Sequence, residues 1–217
     1  MLEIRYVWEL PVRVSHWVNA VCVLVLSVTG FYIGNPFYPA SDTAAYIMGW
    51  NRFIHFTFAY LFLASLIVRF YCFLFGNHHS SWRMFFPWAT KSGRKAAITF
   101  FRYYTFTGPK LPYEVGHNPL AAMAYAGVYS LFVLQLVTGF AIYGQFQPDG
   151  FWFGIFGTLL TWIDVQTLRL VHHLTMWLLG GFFINHFYSA WLMDVKEMNG
   201  VMSSIFSGYK FVERDDL

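Results

Sequence analysis

This sequence is short of charge. Of its 217 residues only 12% are Asp, Glu, Lys or Arg, about half the share of a soluble domain. Its 25 phenylalanines alone equal the 11 acidic and 14 basic residues together. That scarcity excludes an ordinary water-soluble domain, a disordered chain and a coiled coil. A net charge of +3, without basic residues clustered among exposed aromatics, excludes a surface for nucleic acid. Cysteine is scarcer still. Cys22 and Cys72 stand alone in apolar stretches, so there is no spacing for zinc, an iron–sulfur cluster or covalently attached haem. The alternating ten-residue segments of a membrane barrel are also missing. The start, Met1-Leu2-Glu3-Ile4, is acidic, and no small-residue cleavage site follows. The first apolar segment is therefore expected to remain as an uncleaved anchor.

What the sequence does have is long apolar runs. Four reach from about Val12 to Ile33, Tyr46 to Phe75, Leu120 to Tyr143 and Leu168 to Met193, each long enough to cross a hydrocarbon core of roughly 30 Å as a helix. Pro11, Gly34-Asn35-Pro36, Gly76-Asn77 and Asn118-Pro119 punctuate them, as helix starts and stops do. The expected fold is all-α, an integral membrane four-helix bundle forming one domain over residues 1–217. Arg83, Lys91, Arg94, Lys95, Arg102 and Lys110 fill the connection between spans two and three, whereas residues 34–45 and 144–167 carry no Lys or Arg. The positive-inside rule then puts both termini and the basic loop in the cytoplasm. The outer connections are aromatic instead, with Trp152, Phe153, Phe156 and Trp162, suited to the interface or to a partner. A faint internal echo joins Val28-Thr29-Gly30-Phe31 to Val137-Thr138-Gly139-Phe140.

Ionisable residues within a span are costly and ask for a functional reason. Five of the eight histidines lie in the proposed spans: His16, His55, His172, His173 and His186. A single histidine there also reads as a hydrogen-bonded packing residue, but five with regular spacing point further. His172 and His186 are fourteen residues apart, which returns to the same helix face and separates them by ~21 Å along the axis. His173 lies off that face. By depth, His16 meets His186 and His55 meets His172. Two bis-histidine layers result, the arrangement a six-coordinate b-type haem requires. A zinc or copper site needs three or four ligands at one depth, and no layer supplies them.

Arginine repeats the pattern. Arg13, Arg52 and Arg169 each precede a proposed ligand by three residues, and Arg69 follows His55 by fourteen. Guanidinium groups on the ligand's face can bind haem propionates in a bidentate manner; snorkelling to lipid headgroups is the other reading of the four. Gly30, fourteen residues after His16, offers close approach at the outer layer.

Arg13-x-x-His16-Trp17, His55, Gly116-His117-Asn118-Pro119 and His172-His173 with His186 together resemble the di-haem cytochrome b subunit of membrane-bound nickel–iron hydrogenases, over nearly the whole chain. The sequence is similar, less closely, to the cytochrome b subunits of formate dehydrogenases. The first resemblance implies a multi-pass subunit of the bacterial inner membrane holding two haem b. Its implied partners are the iron–sulfur small and nickel–iron large subunits of a periplasm-facing hydrogenase, with membrane lipid around it and quinone as the electron acceptor. Such a subunit transfers electrons within an oxidoreductase complex and does not act on hydrogen by itself. On this reading His117 and Asn118, with Tyr113, Glu114 and Glu9 on the same side, are the donors for quinone; a helix-start turn capped by Asn118 is the other reading of that motif. Two rivals stay open. One is a structural anchor whose histidines only bridge helices, and the other is a self-contained b-type cytochrome that oxidises a small molecule against quinone.

Overall fold

The computed structural model describes residues 2–38, 45–108, 119–198 and 200–213. Long helices dominate it: α1 (Leu10–Gly34), α2 (Ile47–Phe75), α5 (Pro119–Gly144) and α7 (Val165–Glu197). Between them lie the short α3 (Trp82–Phe85), the amphipathic α4 (Lys91–Tyr104) and the apolar α6 (Phe151–Trp162), and α8 (Val201–Ser207) follows α7. Among the described residues three helices, α1, α2 and α5, are long and apolar enough to cross a membrane. With 33 residues, α7 has length to spare, but Arg169, Gln166, Asn185 and three histidines dilute its apolar character. The chain also contains a two-stranded ribbon that the hydropathy pattern does not announce. Strand β1 (Leu2–Tyr6) pairs antiparallel with β2 (Tyr209–Glu213), setting Ile4 opposite Phe211 and Tyr6 opposite Tyr209.

The chain divides into two compact units. The first comprises the residues up to Val25, Tyr60–Ala126 and the chain from His186 onward. Its core gathers Val7, Trp8, Val12 and Cys72 beside the ribbon. The Trp8 indole donates to Ser204 Oγ at 3.1 Å, and the amides of Val7 and Trp8 both donate to the Gly208 carbonyl. Gly208 takes φ of 91°, and a Cβ there would lie 2.9 Å from the Trp8 carbonyl oxygen, so only glycine makes this turn without strain. Glu9 Oε2 accepts from the Asn77 amide at 2.9 Å and from Ser80 Oγ at 3.1 Å, while Asn77 Nδ2 donates to the Val7 carbonyl at 2.9 Å. These bonds tie the end of α2 to the start of α1. Thr90 caps α4 by accepting from the Gly93 amide.

The second unit comprises Leu26–Ala59 and Gly127–Asn185. Trp152 of α6 stacks on Phe140 of α5, with centroids 3.9 Å apart and planes within 16°. Asp164 precedes α7 and accepts from the Thr167 amide at 3.0 Å and the Thr167 hydroxyl at 2.6 Å, a helix N-cap. Those donors hold its carboxyl below the usual carboxylate range.

Candidate haem sites

In the first unit, α1 and α7 bring the rings of His16 and His186 together. Their ring centroids lie 6.2 Å apart, with planes inclined by 57°. A metal–imidazole bond is about 2 Å, so two rings on opposite sides of one iron have centroids roughly 6 Å apart; the observed spacing fits that arrangement. The Tyr125 hydroxyl stands 3.3 Å from His186 Nδ1. His16 Nδ1 is buried without a hydrogen-bond partner among the described residues, and so is Arg13 Nε, one turn earlier on α1. Arg13 Nη1 donates to the Phe206 carbonyl at the end of α8. Arg69 is buried in α2, donates to the Ser80 carbonyl at 3.3 Å and lies 5.2 Å from the centroid of the Phe85 ring.

In the second unit, His55 comes from α2 and His172 from α7. Each ring is met by a threonine of another helix. Thr29 Oγ1 of α1 lies 2.9 Å from His55 Nδ1, and Thr138 Oγ1 of α5 lies 2.9 Å from His172 Nδ1. The residue after each threonine is a glycine lying against the same ring. A Cβ on Gly30 would come within 3.1 Å of His55 Cε1, and one on Gly139 within 3.0 Å of His172 Cε1. The Gln135 side-chain amide lies 3.2 Å from His172 Nε2, the nitrogen that a metal would take in its place. Both rings are thus cradled on the Nδ1–Cε1 edge, which fits ligation through Nε2.

The adjacent His173 differs from His172. Its Nδ1 donates to the Arg169 carbonyl of its own helix at 2.9 Å, and a Cβ on Gly34 would overlap its Nε2. Arg52 and Arg169 are exposed. His78, past α2, is exposed, and His79 beside it is half-buried. Burial first, then the charges of His78, Lys210 and Arg5, hold the His79 imidazole below its ordinary range. His117, Asn118, Tyr113 and Glu114 lie outside the described residues. Glu9 is engaged in the bonds that close the end of α2.

Thr29, Thr138, Gln135 and Tyr125 are contacts of the histidines that spacing alone does not single out. The available signal for the threonines was the echo of Val-Thr-Gly-Phe. Gly30 is placed against His55, which gives that glycine a partner that its distance from His16 did not.

A family model described as Prokaryotic cytochrome b561 matches residues 7–208. A Probable Ni/Fe-hydrogenase B-type cytochrome subunit of Cupriavidus necator is 38% identical over 214 residues, which cover 96% of this chain and 88% of the relative. One from Bradyrhizobium diazoefficiens is 36% identical over 208 residues, 94% of this chain and 84% of the relative. A Probable Ni/Fe-hydrogenase 1 B-type cytochrome subunit of Escherichia coli K12 is 33% identical over 212 residues, 95% and 90% of the two chains.

Proposed function

The chain belongs to the prokaryotic cytochrome b561 family, and from that premise we propose that it is a di-haem, membrane-anchoring cytochrome b that passes electrons from a periplasm-facing nickel–iron hydrogenase to the quinone pool of the bacterial inner membrane. The observation that carries this reading is the pair of imidazoles 6.2 Å apart in one unit, together with a second pair cradled in the other. Bound haem b supplies reversible one-electron chemistry. His16 and His186 would hold one haem, His55 and His172 the other. Arg13 is the best-supported propionate partner, because its buried Nε has no hydrogen-bond partner among the described residues; Arg52, Arg69 and Arg169 complete the proposed set. His117 and Asn118 are proposed to bind quinone and supply its protons.

Four crossings are supported by a parity argument. Strands β1 and β2 are hydrogen-bonded to one another, so the chain enters and leaves on the same side, which requires an even number of crossings. With α1, α2 and α5 as three, α7 is the fourth. The Lys91, Arg94, Lys95 and Arg102 of α4 favour the cytoplasm for the side that carries both ends. The long α7 thereby supplies one histidine to each pair.

The test is hydrogen-dependent reduction of a quinone analogue by the purified complex with its small and large subunits. His186→Ala is expected to abolish it while hydrogen-dependent reduction of a soluble dye continues at the nickel–iron subunit. Undiminished quinone reduction in that variant would overturn the proposal.

A further inference from the structure

On the reading that His55 and His172 are haem ligands, we propose that Thr29 and Thr138 are positioning residues that fix both rings with Nε2 presented for ligation and strengthen them as donors. Proton bookkeeping leads there. A threonine hydroxyl has one hydrogen to give. Thr138 spends it on the Leu134 carbonyl of its own helix at 2.7 Å, and Thr29 on the Leu26 carbonyl at 3.3 Å, the back-bond that helical threonine commonly makes. With the hydroxyl hydrogen on the backbone carbonyl, each oxygen accepts from the ring beside it at 2.9 Å. His55 and His172 therefore carry their proton on Nδ1 and donate it to threonine, which leaves the lone pair of a neutral imidazole on Nε2. The Gln135 amide facing His172 Nε2 is the donor such a lone pair attracts.

Burial makes the choice firm. Thr29 is 6% exposed and Thr138 is 2% exposed, so water does not compete for either bond, and a low dielectric strengthens both. The glycine that follows each threonine lets the ring edge come close, since a Cβ would stand 3.1 or 3.0 Å from Cε1. Thr-Gly thus acts as one device, used once on α1 toward α2 and once on α5 toward α7. The internal echo in the sequence is this device repeated. A hydrogen bond accepted from Nδ1–H makes the imidazole a more basic ligand, which favours the oxidised iron and lowers the potential of the haem it holds.

The experiment uses the full chain purified with its haem, as wild type and as Thr29→Val, Thr138→Val, the double variant and the matching Ser variants. Valine keeps the shape and removes the acceptor; serine keeps the acceptor and removes a methyl group. The readouts are the rate of haem transfer to a scavenging apoprotein and the midpoint potential of each haem by spectroscopic titration. Each Val variant is expected to weaken one haem on the order of 10-fold and move its potential upward, while the second haem is unchanged and reports that the chain is folded. The double variant exceeds either single one, and serine restores wild-type values. Val variants with wild-type potential and haem retention would overturn the proposal, as would Ser variants as defective as Val. His55→Ala separates this outcome from failure of the ligand reading. Loss of one haem in His55→Ala beside unaffected Val variants sinks only the threonine role, whereas retention of both haems in His55→Ala and in His172→Ala sinks the ligand assignment itself.

Discussion

The two units hold the same kind of histidine pair in different surroundings. In the unit of His55 and His172, each ring has a buried threonine on Nδ1 and a glycine under Cε1. In the unit of His16 and His186, the ring centroids lie 6.2 Å apart; a tyrosine hydroxyl stands 3.3 Å from one Nδ1, and the other Nδ1 has no hydrogen-bond partner among the described residues. Identical side chains thus receive unequal support. The lesson is that ligand identity selects the cofactor, whereas the groups behind the ligands set how firmly and at what potential it is held.

The comparison can be broken outright by removing ligands. His186→Ala is expected to remove one haem and His55→Ala the other, each leaving the second spectrum intact; loss of the same haem in both variants would dissolve the division into two sites. A smaller effect is expected from the glycines. In Gly139→Ala the new methyl group would stand 3.0 Å from His172 Cε1, so the ring must yield. Faster loss of the threonine-held haem alone, read by transfer to an apoprotein, is the expected outcome. Equal loss of both would show that the glycine serves packing between helices.

Tyr125→Phe probes the other site. If the hydroxyl 3.3 Å from His186 Nδ1 tunes that ring, its removal shifts the potential of the haem held by His186 modestly and leaves the threonine-held haem unmoved. A shift at the threonine-held haem would contradict the comparison. The smallest effect belongs to Asp164. Its lowered carboxyl pKa means that the cap contributes above the ordinary carboxylate value of about 3.9 and is lost as pH falls through the lower folded value. Asp164→Ala is expected to fray the first turn of α7 at neutral pH, seen as faster amide exchange there, and to differ little from wild type once the medium is acid enough to protonate Asp164.

Much of this was legible in the residues. The ends of α1, α2 and α5 fall within two residues of the apolar runs, because hydropathy and the Pro and Gly stops act locally. The histidine spacing was equally plain, since helical periodicity converts separation in sequence into direction. The ribbon was not visible, because pairing Ile4 with Phe211 depends on how the helices return the chain. Nor was the role of Thr29 and Thr138. Val-Thr-Gly-Phe occurs twice, yet nothing in four residues tells which neighbouring helix the hydroxyl faces. His173 shows the same limit. Spacing set it apart from His172, but its bond to the Arg169 carbonyl and its fit against Gly34 are facts of packing.

The central claim is two bis-histidine haems in unequal surroundings. A spectroscopic redox titration of the purified chain, with extracted haem counted against protein, tests it most directly. Two non-covalent haem b per chain are expected, both low-spin, with two distinct midpoint potentials of which only one moves in Thr138→Val. A single haem, or two that titrate together and ignore Thr138→Val, would contradict it.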